Sequence, residues 1–258
     1  MKREQACRLA GYLLPAAVIL LWEVCARAGF IDLDALPAPS AILAEAANPG
    51  ALAELGGQTL VTLRRILTGF ALGGAAGFLL GFACGCLPRL YAALETIIEF
   101  LRPMPSVALI PIGILFLGTG DALCEAIVAF ACSWPVFISA LRGAGAAGAP
   151  LVNTARTLGA SRARITFRVI LPAALPNVFT GLRVGLGVAV AVAVITEMAA
   201  SGSGLGALIL SASLSFRVAL MYAAIAAAGL LGFTLNALFT LTEDRLLAWR
   251  HGASKEAR

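Results

Sequence analysis

Six apolar blocks, each near the length of a membrane crossing, divide this chain: 10–30, 66–87, 103–118, 122–141, about 178–200 and about 219–241. A hydrocarbon core about 30 Å thick takes roughly 20 apolar residues of helix. Inside it every backbone amide must find its partner within the protein, and a helix does so within one segment. The pattern therefore predicts an all-α integral membrane protein with six transmembrane helices in one polytopic domain. Composition agrees: 13% of residues are charged, against about 25% in soluble domains, and mean hydropathy is +0.93.

The residue inventory removes several chemistries. Lys2 and Lys255 are the only lysines, so no glycine-rich turn is followed by the Lys-Ser/Thr that cradles nucleotide phosphates. If the chain works on ATP energy, another polypeptide holds the nucleotide; no cofactor and no metal is expected on this one. His251 is the single histidine. The cysteines at 7, 25, 84, 86, 124 and 132 form no Cys-x-x-Cys pair and lie mostly in apolar runs, as small fillers do. A membrane-embedded enzyme would need a cluster of His, Asp or Cys at one depth, and none is present.

The first block follows Lys2, Arg3 and Arg8 and ends at Ala26-Arg27-Ala28, much like a signal peptide. Arg27 between the alanines and Glu23 within the block favour an uncleaved span. Residues 31–57 read as a connector too polar to cross, and 87–102 as a polar-faced one. In the second block Gly69, Gly73, Gly77, Gly81 and Gly85 recur every four residues, leaving one flank bare for close helix packing. Pro103, Pro105, Pro111 and Pro135 interrupt the third and fourth blocks, which suggests a protein-lined cavity. With both ends cytoplasmic, only Arg27, Arg64, Arg65 and Arg217 fall outside, and the remaining basic residues fall inside. The positive-inside rule selects that orientation.

The long inside loop, 142–177, contains no acid; none occurs between Glu125 and Glu197. Leu151, Val152, Ala155 and Leu158 form an apolar stripe at helical spacing, and Gly159 is placed to end that helix. Ser161 can cap a second helix with Ile165, Val169 and Ile170 on one side and Arg162, Arg164 and Arg168 on the other. Pro172 and Pro176 are expected to end it. A basic hairpin on anionic lipid is one fate for such a segment. The small residues Ala155 and Gly159, where a lipid-binding helix would carry bulk, favour a protein groove.

"NTARTLGASRARITFRVILPAALP" (153–176) resembles the EAA signature of ABC importer permeases at Ala155, Gly159, Ile170, Leu171 and Pro172. "LPAPS" (36–40), "LRPMPSVALIPIGILFLGTGD" (101–121), "PNVFTGLRVGLG" (176–187) and "ITEMAASGSGLGALI" (195–209) resemble the subfamily importing nitrate, sulfonates and taurine. The resemblance covers roughly 35–250. It implies a type I ABC importer (MetI-like) permease fold and a transmembrane subunit in the bacterial inner membrane. Implied partners are two ATP-binding subunits, a second permease copy forming a homodimer, and a periplasmic solute-binding protein. A small anionic solute would cross by alternating access. The coupling loop to the ATPase would comprise Asn153, Ala155, Leu158, Gly159, Arg162, Ile170, Leu171 and Pro172. The signature's first Glu is Asn153 here, which keeps hydrogen-bonding reach and loses the charge.

For the translocation path the expected residues are Arg183 and Glu197, ionisable groups inside the fifth block. Glu197 has an alternative role, bonding to the glycine-rich turn "SGSGLG" (201–206). The division of the chain is then 1–30 tail and first span, 31–57 periplasmic connector, 58–250 core with the loop at 142–177, and 251–258 cytoplasmic tail. A self-sufficient secondary carrier or channel is the alternative. Carriers often show internal repeats and mid-membrane coupling groups; here no repeat is evident and acids within spans are few.

Overall fold

The computed structural model describes residues 2–29 and 35–247, with side chains of the first helix described from Leu13 onward. The tail expected at 251–258 lies outside the described residues. Helix α1 (Lys2–Arg27) carries Pro15 in its interior. It is tied to α2 (Pro39–Ala47) by Glu23, whose carboxylate accepts from the Ser40 amide at 3.0 Å and its hydroxyl at 2.7 Å. Arg27 completes that cluster by donating to Glu23 at 2.6 Å.

Helix α3 (Pro49–Cys86) is longer than the second apolar block. Asn48 caps it by accepting from the Gly50 amide, with Pro49 at the first position. Its 38 residues reach about 57 Å at 1.5 Å per residue. The connector expected over 31–57 therefore does not end at a break. Nothing from 50 to 65 stops a helix, and polarity alone only keeps the first turns out of the bilayer.

Cys86 is followed by α4 (Pro88–Leu101), a 3-10 turn (Ser106–Leu109) and α5 (Ile110–Leu117). The third span, expected as 103–118, is instead a bent pair: α4 and the segment 106–117 meet at 85°. Pro103 and Pro105 stand at the bend, where missing amide protons and ring sterics stop the helix. The 8 residues of α5 rise only about 12 Å, so α5 is too short to cross a hydrocarbon core about 30 Å thick without α4.

Helix α6 (Asp121–Ala144) leads to the elbow: α7 (Gly148–Thr157), α8 (Arg162–Ile165) and a π turn (Thr166–Ile170). Helix α9 (Leu171–Ala200) continues directly, so 162–200 is one helical span. Pro172 and Pro176 were expected to end the elbow helix, and they do not. The π turn, in which the Leu171 amide bonds to the Thr166 carbonyl, widens the coil just before a proline that has no amide to donate. After a turn come α10 (Leu205–Leu214) and α11 (Val218–Leu246).

No strand occurs among the described residues. Helices α3, α6, α9 (with α8) and α11 are long and apolar enough to cross a membrane, and the bent pair is a fifth candidate. With α1, these follow the six apolar blocks in order.

The core is α3, α6 and α9. Helices α3 and α6 run parallel: a Cβ at Gly69 would lie 2.7 Å from Val128 Cγ1, and at Gly73, Gly77 and Gly81 it would overlap the carbonyl oxygens of Ala129, Ser133 and Phe137. At Gly85 it would overlap Ala144. The two backbones thus touch along about four turns, which side chains there would forbid. Helix α9 packs antiparallel on α6, with Gly181 against Ser139 and Gly185 against Cys132. Ile66, Leu123, Val128, Cys132, Leu186 and Ala193 fill the space between. Helix α11 closes one side through Phe239, edge-on to Phe70 at 6.4 Å. A second cluster at the far end joins Ile42, Leu55, Leu208, Ile209 and Leu220 from α2, α3, α10 and α11.

Candidate functional site

Two polar regions stand at opposite ends of the bundle. At one end α6 and α9 project into the elbow. Gly159 takes φ +76°, a conformation that costs side chains bearing a Cβ. Its neighbours close the α7 terminus, the Ala160 amide bonding to Ala155 O at 3.1 Å and the Gly159 amide to Arg156 O at 2.9 Å. Ser161 caps α8 by accepting from the Arg164 amide. The elbow thus turns on a glycine and a serine and presents its tip outward.

At that tip Asn153, Leu158, Gly159 and Arg162 are exposed and Ala155 is half-buried. Leu158 is 81% exposed. Nothing lies within 4 Å of a Cβ built at Gly159. Ile165 is buried and Ile170, Leu171 and Pro172 half-buried, so one side of the segment anchors the elbow to the bundle. Arg142, Arg156, Arg162, Arg164 and Arg168 are all exposed, and among the described residues none of them forms an ion pair. The result is a cationic surface around an apolar knob, with no acid among the described residues paired to it.

At the opposite end charge is handled inside. Arg65 on α3 is 1% exposed and Glu197 on α9 is fully buried. The guanidinium Nη1 donates to Glu197 at 3.0 Å and to the Ser203 carbonyl at 2.7 Å. Its Nη2 donates to Ser203 Oγ at 2.9 Å, and Nε to Asp121 at 2.8 Å. Arg64 also pairs with Asp121. The Glu197 carboxylate further accepts from the buried Thr62 hydroxyl and, at 3.0 Å, from the Gly206 amide. Thr62 in turn accepts from the Leu205 amide at 2.8 Å. Two arginines and two carboxylates therefore balance, and the turn 201–206 is sewn to α3, α6 and α9. Gly204, at φ +98°, lies so close that a Cβ would overlap the Glu197 carboxyl.

Glu197 and Arg183, both expected at the translocation path, are thus not brought together. Glu197 has no solvent-accessible surface and bonds to the glycine-rich turn. Arg183 lies nearer the elbow, hydrogen-bonded to Thr240 and 3.9 Å from Glu243 on α11, with a side chain 43% exposed. The roles of Arg65, Thr62, Asp121 and Ser203 went unread in the sequence, where Arg64 and Arg65 count as loop charges. A signal existed: an arginine pair at the edge of one apolar block and an acid at the edge of another match in sign and depth.

Beside known proteins the chain is similar to permeases throughout. Residues 75–248 match the family model described as "Binding-protein-dependent transport system inner membrane component". The putative aliphatic sulfonates transport permease protein of Bacillus subtilis (strain 168) is 31% identical over 94% of this chain and 88% of its own. The taurine transport system permease protein of Escherichia coli (strain K12) is 32% identical over 92% and 88%. Among solved structures, the inward-facing MetNI methionine ABC transporter aligns with a TM-score of 0.59 at 18% identity, over 73% of this chain and 95% of that one, a likeness of fold.

Proposed function

Because the chain belongs to the family of binding-protein-dependent transport system inner membrane components, and is thereby the permease subunit of an ABC importer, we propose that its basic elbow is the joint to a separate ATP-hydrolysing subunit. Two copies of that subunit would dock on two copies of this chain in the bacterial inner membrane. The termini and the elbow would face the cytoplasm, and a periplasmic binding protein would deliver solute at the end that carries the turn 201–206. ATP stays on the partner; this chain holds no cofactor. The solute class that relatives support is a small sulfonate-, taurine- or nitrate-like anion.

One observation carries this reading. The elbow is exposed, wholly basic and continuous with α9, so a displacement imposed on Arg162–Arg168 is transmitted along a single helix to Glu197. A rigid lever of this kind suits a switch between two packed arrangements. The charge pattern also states what the partner offers. With Asn153 in place of a Glu and five exposed elbow arginines that form no ion pair among the described residues, the receiving groove should present carboxylates around an apolar pocket. A wholly basic surface gains nothing from a basic groove.

The test is co-purification and ATPase stimulation of the partner with Leu158→Asp and Gly159→Trp. Leu158 touches little of its own chain, so the aspartate leaves the fold intact and should abolish coupling. Unchanged coupling with both variants would overturn the assignment. The carrier alternative makes the opposite forecast: solute flux in liposomes holding this chain alone, driven by an ion gradient.

A further inference from the structure

Helix α4 has three different sides. Leu94, Ile97, Ile98 and Leu101 line a cavity of about 360 Å³ shared with Ala76, Gly77 and Leu80 of α3 and Ser133, Trp134 and Phe137 of α6. Phe100, exposed by 69% and absent from that lining, marks an apolar outer side. Glu95, Glu99 and Arg102, spaced by four and three residues, make a polar stripe about a third of a turn from the cavity side at 100° per residue. All three are exposed, and among the described residues none has an ion pair or a side-chain hydrogen bond. Thr96 and Ala92 continue the same polar side.

The depth of this stripe follows from the packing. Helices α3 and α6 run parallel, so the chain between Cys86 and Asp121 must return the length of the bundle. Helix α4 begins that return as the second arm of a hairpin with α3: Leu80 and Leu94, each seven residues from Leu87, line one cavity. Ser133 and Trp134 on its far wall lie midway along α6. The C-terminal half of α4 therefore stands beside the centre of a membrane-crossing helix. Ionisable groups at such depth are costly against lipid and face a water-filled cavity or a partner.

We propose that the Glu95–Glu99–Arg102 face of α4 borders an aqueous path through the bilayer, while Phe100 faces lipid and Leu94, Ile97 and Ile98 face protein. This rests on the permease reading above and extends it to residues outside the fifth span. The stripe holds both signs of charge, so it serves to keep the path wet rather than to bind one ion. The bend at Pro103–Pro105 ends the path's wall on this helix, where α5 turns aside.

The test is thiol accessibility in proteoliposomes of the complete transporter. Single cysteines at 95, 96, 99, 94, 97 and 98 are reacted with a charged, membrane-impermeant methanethiosulfonate reagent, the parent chain with its own thiols serving as blank. Modification at 95, 96 and 99 should be at least ten-fold faster than at 94, 97 and 98. Thr96→Cys is nearly isosteric and removes no charge, so it remains informative if the glutamate variants fail to assemble. Equal protection at all positions in a transporter that still couples ATP hydrolysis overturns the path and spares the permease reading. Equal reactivity at all positions also overturns it, since α4 would then lie in water at the membrane surface. A parent chain that recruits no ATPase defeats both.

Discussion

The two ends of the bundle use arginine in opposite ways. At the turn end Arg65 is buried and its donors meet Glu197, Asp121 and both oxygens of Ser203. At the elbow end Arg156, Arg162, Arg164 and Arg168 are exposed and meet no carboxylate of the described chain. An arginine saturated by its own chain holds the fold, and one left exposed to solvent is available to another molecule. The same helix joins both solutions: 39 residues from Arg162 to Ala200, about 58 Å at 1.5 Å per residue. Under the proposed coupling, a displacement of the elbow would reach the point where Glu197 clasps the turn.

Breaking the comparison at its saturated end should have the largest effect. Arg65→Ala strands Glu197 as a buried charge, and removing one partner of such a pair costs about 3–5 kcal/mol. Thermal unfolding in detergent should show a steep loss, with Glu197→Gln milder because the amide still accepts from Thr62. If Arg65→Ala melts like the parent, the cluster is not what fixes the turn.

Next come the glycines that let α3 meet α6. Gly73→Leu or Gly77→Leu should destabilise by at least the roughly 1–3 kcal/mol of an overpacked core, because backbone rather than a flexible side chain stands opposite. Gly57→Ala on the same helix, with nothing within 4 Å of its Cβ, should be neutral or slightly stabilising. The contrast between the two in one melting assay is the check.

At the unsatisfied end the effects should appear in binding and leave the melting temperature alone. Leu158→Asp should weaken the partner by about ten-fold or more, roughly 1.4 kcal/mol, measured by titrating the ATP-binding subunit. The smallest change expected is Asn153→Glu, under about 1 kcal/mol for an exposed ion pair. Its sign sharpens the comparison: tighter binding means that a cation faces position 153, and weaker binding means that the groove is acidic throughout. Raised salt should loosen the parent complex in the second case.

Much of the fold was legible from residue pattern because hydrophobicity and breakers act locally. The apolar blocks correspond to α1, α3, the bent pair, α6, α9 and α11, and Gly159 and Ser161 sit at the elbow's turn. Prolines were read correctly in one place and wrongly in another. Pro103 and Pro105 stand at the bend between α4 and the segment 106–117, as interruptions should, whereas Pro172 and Pro176 ride inside a continuous helix because a π turn takes up the missing bond. Whether a proline ends a helix depends on what the surrounding backbone can do, and sequence shows only the proline. The polar side of α4 was visible as a polar-faced connector; its depth was not.

The family and the membrane class were decided by the sequence itself, because transfer into hydrocarbon adds up residue by residue along each segment and needs no knowledge of neighbours. Which charges are bound within the chain was decided only by tertiary structure. Arg65 and Glu197 stand 132 positions apart, and the glycine-lined helices α3 and α9 must pack on α6 before the two can touch. A charge is structural or functional according to what lies within about 3 Å of it, and that distance is set by packing.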